Sequence, residues 1–218
     1  FCGKALPKGK KLRSMLGREI VYIPQNGHEF LDPSRSIRRQ MFDSIAKLGI
    51  AAPLREAFSR EKLTQVGFTQ PEAFQLSGGM AQRVTIALAL CSQAKLLIAD
   101  EPTNGLDQDS KQQTLSLLND LFPDAAKLVI THDISVAATC GRILVLCGSS
   151  ALVLAAPRHP CTQALLGALV ENGMQETPAL RTETGACPFY RRCPAAFGRC
   201  RAEIPRRTQG DREWWCCK

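Results

Sequence analysis

Between Leu76 and Asp107 the chain carries three short segments whose order restricts the possible fold more than any compositional figure does. The first is Leu76-Ser77-Gly78-Gly79-Met80-Ala81-Gln82-Arg83, followed by a helical run from Val84 to Leu90. Ser77, Gly78 and Gly79 stand where a loop turns into that helix. Glycines there let a ligand approach the backbone, and the N–H groups left over at a helix N-terminus favour an anion such as phosphate. The second segment is Lys95-Leu96-Leu97-Ile98-Ala99-Asp100-Glu101-Pro102. Apolar residues ending in two carboxylates predict a buried parallel strand that delivers acids to its C-terminal edge, where open α/β sheets bind ligands. One carboxylate suits Mg²⁺, and the other suits the orientation or deprotonation of an attacking water. The third segment, Asn104-Gly105-Leu106-Asp107, closes the stretch.

The flanks supply more strands and helices. Glu19–Pro24 alternates as a strand and Gln25 follows it directly. Ser36–Leu48 places Ile37, Met41, Ile45 and Leu48 at helical spacing with Ser36 as a cap, and Pro53–Leu63 opens a second helix on proline. Asp107 or Asp109 caps a helix that runs to Leu121, with Leu115, Leu118 and Leu121 on one face. Lys127–Ile130 reads as another buried strand, ending in Thr131-His132-Asp133; Ile134–Cys140 reads as a short helix and Ile143–Cys147 as a further core strand.

Taken together, Leu76–Arg83 resembles the signature motif of ABC-type ATPases, Lys95–Pro102 their Walker B strand with its catalytic glutamate, and Asn104–Asp107 their D-loop. Ile20–Gln25 followed by Leu31-Asp32-Pro33 resembles the Q-loop of the peptide-importer members. Arg158-His159-Pro160-Cys161-Thr162-Gln163-Ala164-Leu165-Leu166 resembles a stretch of the oligopeptide, dipeptide and nickel importer subfamily, with Cys161 in place of the usual tyrosine. The fold this resemblance implies is α/β: a partial P-loop (RecA-like) ABC nucleotide-binding domain over 1–157, with a helical subdomain over about 33–92. A C-terminal extension over 158–218 holds a Cys-rich segment at 187–217. Residues 148–157 look too short for both the hairpin and the short helix that the subfamily places there.

The resemblance also assigns roles. Asp100 holds Mg²⁺, Glu101 is the general base, Gln25 contacts the ion and the attacking water, and His132 contacts the γ-phosphate. Ser77, Gly78 and Gly79 face the ATP of a second ATPase subunit, and Asp107 links the two sites. The implied partners are that second subunit, as a homo- or heterodimer, two transmembrane permease subunits and, indirectly, a substrate-binding protein, with no nucleic acid. The expected place is the cytoplasmic face of the inner membrane. The expected activity is ATP hydrolysis coupled to import of di- or oligopeptides, with nickel as the alternative cargo. The same motifs also fit a soluble ABC ATPase of the DNA-repair or ribosome-associated kind, or a catalytically inactive subunit that completes a partner's site.

No Gly-x-x-x-x-Gly-Lys-Ser/Thr occurs in the 218 residues, so the loop that cradles phosphates in this family is not among them. Phe1-Cys2-Gly3-Lys4 resembles the strand after the family's first helix, which places the start downstream of Walker A. The expectation is weak ATP binding and negligible hydrolysis by these 218 residues alone.

Composition bounds the rest. With 44% hydrophobic residues the chain buries one core and a small appendage, and no apolar run approaches the roughly eighteen residues needed to cross a bilayer. No signal-peptide layout opens it, which predicts a soluble chain, or one attached to a membrane through partners. Of the net +8, residues Arg181–Lys218 carry +5, from nine basic and four acidic side chains. Five of the ten cysteines lie in that tail, in Cys187-Pro188-Phe189-Tyr190-Arg191-Arg192-Cys193-Pro194, at Cys200 and at Cys216-Cys217. This resembles the Cys-Pro-Phe-x-x-Arg-Cys-Pro tail of peptide-importer ATPases, some of which hold an iron–sulfur cluster. Four thiolates from Cys187, Cys193, Cys200 and either Cys216 or Cys217 suit a 4Fe–4S cluster, or Zn²⁺, and the arginines would stabilise the anionic site. Reduced thiols in a loose tail are the other reading.

Overall fold

In the computed structural model the described residues are 3–70, 76–147, 150–154, 160–168, 173, 185–202, 204–209 and 212–216; Phe1, Cys2, residues 71–75, Arg158, His159 and Cys217 lie outside them. Contacts divide the chain into two units, Phe1–Thr131 and His132–Lys218.

The first unit is built on a three-stranded parallel sheet in the order β1 (Ile20–Ile23), β2 (Leu96–Asp100), β3 (Ala126–Ile130). Register pairs Ile23 with Ala99 and Asp100 with Ile130, so the three strands end at one edge. Between β1 and β2 run α2 (Gly27–Phe30), α3 (Ile37–Ala46), α4 (Ala52–Gln65) and α5 (Gly78–Leu90), after the short basic α1 (Lys10–Met15). Ser36 caps α3 by accepting from the Arg39 N–H, and Pro53 lies in the first turn of α4, where its missing N–H costs nothing. The helix α6 (Gln108–Leu121) returns the chain from β2 to β3.

α5 is the centre of this unit. Ala81, Val84, Thr85, Ile86, Ala87 and Ala89 are buried, so it is apolar over most of its circumference, as a helix enclosed by others and a sheet must be. Val21, Ile23, Leu97 and Ala99 face it from the strands, and Met41, Ile45 and Leu63 face it from α3 and α4. The opposite sheet face is different. Tyr22, Leu128 and Ile130 remain 46%, 46% and 45% exposed, although parallel sheets are ordinarily covered on both sides. β3 is therefore a partly exposed edge strand and not the buried one expected from its apolar run. Leu128 and Ile130 lie on the sheet face turned away from α5, and the composition of four residues cannot reveal which face is covered.

The second unit begins with α7 (Ile134–Ala138), capped by Asp133 through the Ser135 and Val136 N–H groups. Its sheet is antiparallel in the order β4 (Ile143–Cys147), β5 (Ser150–Leu154), β7 (Arg212–Trp215), β6 (Arg206–Gln209). β4 is thus an outer strand with Leu144 and Leu146 exposed, in place of the expected core strand. Residues 150–154 do pair with it as a hairpin, and the C-terminal tail adds the second hairpin. α8 (Pro160–Gly167) and α9 (Arg199–Ala202) complete the described elements, with a 3-10 turn at Tyr190–Arg192.

Ile23 is fully buried directly before the bend at Gln25. Ile23→Ala should cost about 2–5 kcal/mol, because the surrounding helix and strand cannot both collapse onto the vacated volume. Urea unfolding of the chain would measure it as a lower midpoint with an unchanged slope.

Candidate nucleotide site

Parallel strands gather functional residues by ending together. Gln25 follows β1 at a bend and is exposed, while Asp100 is the last residue of β2 and half-buried. Glu101 follows with φ 45°, alone among the described non-glycine residues in left-handed backbone. That conformation is disfavoured for a side chain bearing a Cβ, and residues held this way cluster at functional sites. Among the contacts that hold it, the Glu101 N–H donates to the Ile130 carbonyl at 2.8 Å, the Asn104 N–H donates to the Glu101 carbonyl at 3.1 Å, and the Thr131 hydroxyl donates to Glu101 Oε2 at 3.3 Å. Gln25, Asp100 and Glu101 therefore share one sheet edge with Thr131, which sequence reasoning passed over. A hydroxyl residue one position past an apolar strand gave no signal distinct from an ordinary strand end.

Asp100 has a second contact of the same kind. The Tyr22 hydroxyl donates to Asp100 Oδ2 at 2.9 Å. This bond, ahead of burial and the charge of Asp100, raises the Tyr22 pKa above its ordinary value. Among the described residues no three His, Cys, Asp or Glu side chains converge as a metal cage. The edge offers oxygen donors, among them the carboxylates of Asp100 and Glu101, and one or two carboxylates are a protein's usual share of a Mg²⁺ site completed by phosphate oxygens and water.

Ser77 caps α5 by accepting from the Met80 N–H at 3.3 Å, and Ser77, Gly78 and Gly79 are exposed. A Cβ on Gly78 or Gly79 would meet nothing, so the helix start presents open backbone to solvent. The positive end of the dipole of this 13-residue helix lies there. Asp107 is the N-cap of α6, as one of the two expected residues, and its carboxyl is held below the usual range by the Ser110 N–H and then by the Ser110 hydroxyl. This cap therefore contributes fully above the ordinary aspartate pKa and is lost as pH falls through the depressed one. His132 is exposed and opens the second unit.

One residue ties the bend at Gln25 to the signature helix. Gly27 begins α2, capped by Asn26, and lies against the first turns of α5. A Cβ on it would stand 2.7 Å from the Ala81 carbonyl carbon and 2.9 Å from the Gln82 nitrogen. Only glycine permits that approach. The Asn26-Gly27 pair carries a cap and a contact where a turn alone would be inferred.

In the second unit, Cys187, Cys193, Cys200 and Cys216 line one cavity of about 20 Å³ together with Pro160, Tyr190 and Phe197. All four are thiols, and the expected alternative Cys217 lies outside the described residues. Tyr190 is buried beneath Arg201, whose Nε donates to the phenol oxygen at 2.9 Å.

Gly27→Ala should destabilise the chain by about 1–3 kcal/mol, since backbone and not a pliable side chain must give way. It should also raise protease sensitivity at residues 26–30, as seen by limited proteolysis with mass spectrometry.

Known proteins resemble this chain in sequence and in fold. The ABC transporter family model matches residues 2–104. The dipeptide transport ATP-binding protein DppD of Escherichia coli is 36% identical over 222 residues, covering 90% of this chain and 68% of that protein. The nickel import ATP-binding protein NikD of Rhodospirillum rubrum is 35% identical over 185 residues, covering 76% of this chain and 70% of that protein. Among solved structures, the dimeric ATP-binding cassette MJ0796 bound to ADP and Pi superimposes with a TM-score of 0.55 at 27% identity, over 64% of this chain and 63% of that one. CbiO1 of Clostridium perfringens superimposes with a TM-score of 0.56 at 25% identity, over 66% and 60%. The chain thus spans less than two thirds of these solved structures. It belongs to the ABC transporter ATP-binding family, in the branch of the oligopeptide, dipeptide and nickel importer subunits.

Proposed function

We propose that the chain is the ATP-hydrolysing subunit of a bacterial ABC importer for di- or oligopeptides. The observation that carries this reading is the common sheet edge on which Gln25, Asp100 and Glu101 stand, in a chain similar to dipeptide transport ATP-binding proteins. Nickel is the second reading, favoured by the similarity to a nickel import subunit. The ATPase part is assigned to residues 1–157 and the extension to 158–218.

In this reading bound Mg²⁺ would neutralise phosphate charge, and Asp100 would hold it. Glu101 takes the proton of the attacking water, with its carboxylate oriented by the Thr131 hydroxyl. Gln25 positions that water and His132 donates to the terminal phosphate. Ser77, Gly78 and Gly79 close over the nucleotide of the second ATPase subunit, and the exposure of their helix start supports this. Asp107 joins the two sites. The subunit then works against two permease subunits at the cytoplasmic face of the membrane, supplied by a substrate-binding protein. No helix among the described residues is long and apolar enough to cross a membrane.

The tail is assigned a 4Fe–4S cluster, held by Cys187, Cys193, Cys200 and Cys216, with Zn²⁺ as the alternative. Four soft donors lining one cavity and a nearby run of arginines support it, although the described thiols do not converge as a metal cage. Anaerobic purification should give a brown protein that loses its visible absorbance in Cys193→Ser. Colourless protein with bound zinc would select the alternative, and no metal at all would overturn the assignment.

In the assembled transporter, Glu101→Gln should lower ATP turnover by about 10²–10⁴-fold while ATP remains bound. Unchanged turnover would refute the assignment of the base. The 218 residues by themselves, which include no phosphate-cradling loop, should show no turnover in a phosphate-release assay.

A further inference from the structure

We propose that Tyr22 is a positioning residue for Asp100, fixing one carboxylate oxygen by a hydrogen bond so that the other is presented to the divalent cation of bound nucleotide. The proposal rests on the reading above that Asp100 holds that cation.

The contact follows from strand register. Tyr22 of β1 lies opposite Ile98 of β2, so Asp100, two residues further along, projects from the same sheet face on the diagonal. A tyrosine is long enough to reach a diagonal neighbour, and its Oη stands 2.9 Å from Asp100 Oδ2. The surroundings make this bond selective. The side chains that share the face, Ile98, Leu128 and Ile130, are aliphatic and offer Asp100 no hydrogen. Tyr22 is itself 46% exposed, so its ring contributes less to the core than a buried aromatic would. What it places with care is its hydroxyl.

A carboxylate offers about four lone-pair directions, and one donor on Oδ2 leaves Oδ1 open while stopping rotation of the group. Carboxylates that bind metals are commonly held in this way, and removing the outer partner typically weakens the metal about 10–100-fold. A tyrosine phenol keeps its proton at neutral pH and can serve as the donor.

The test uses the full chain assembled with its partner subunits, with ADP present and Mn²⁺ as the probe, read from the electron paramagnetic resonance signal of unbound Mn²⁺. Tyr22→Phe keeps the ring and removes the hydroxyl. It should raise the Mn²⁺ dissociation constant about tenfold, leaving metal-free ADP affinity and the thermal midpoint unchanged. Asp100→Asn run in parallel separates the two ideas. If Asp100→Asn weakens Mn²⁺ and Tyr22→Phe does not, the role of Asp100 stands and the role of Tyr22 is overturned. If neither variant changes Mn²⁺ affinity, the reading of Asp100 fails and takes the proposal with it. A lower thermal midpoint in Tyr22→Phe with unaltered Mn²⁺ affinity would make Tyr22 a packing residue, and tighter Mn²⁺ would make it a competitor; either result overturns the proposal.

Discussion

Parallel pairing of β1, β2 and β3 is the constraint on which the candidate site depends. Parallel strands run in one direction, so whatever follows each of them emerges at the same edge. Gln25, Asp100 with Glu101, and Thr131 are distant in sequence, yet the register from Ile23–Ala99 to Asp100–Ile130 sets them side by side. An antiparallel arrangement of the same strands would have sent the carboxylates of β2 to the far end. Burial of Val21, Ile23, Leu97 and Ala99 against α5 fixes the register, because a one-residue slip would turn those side chains outward.

α5 serves two ends. Its middle is core, and its first turn is open backbone at Ser77–Gly79. Gly27 binds that first turn to the bend after β1 at a distance no larger residue allows. A shift at Gln25 must therefore be carried to the signature residues or break the packing of α2 on α5, since close-packed contacts do not deform gradually. The close approach of Gly27 to Ala81 and Gln82 thus ties the bend after β1 to the start of α5.

The uncovered sheet face bears on the same point. Tyr22, Leu128 and Ile130 present apolar surface where a parallel sheet ordinarily meets a second layer. The carboxylate of Asp100 opens onto that face, and its partner there is the hydroxyl of Tyr22. The sheet face it occupies, and not side-chain type, separates Ile23, which faces α5 and is buried, from Ile130, which faces the other way and is not.

Much of this was legible without coordinates. Period and caps located α3, α4 and α6, because Ser36, Pro53 and Asp107 act through local bonds that a few neighbours suffice to make. The signature, the acidic strand tip and the family followed from local order as well. The tertiary structure alone decided which strands are outer, that the C-terminal tail pairs β7 with β5, and that Cys216 reaches the cavity of the other three thiols. It alone also selected Tyr22, Thr131 and Gly27 as neighbours of the site. The reason is separation along the chain: Tyr22 and Asp100 lie 78 residues apart, and nothing in either local segment encodes the register that joins them.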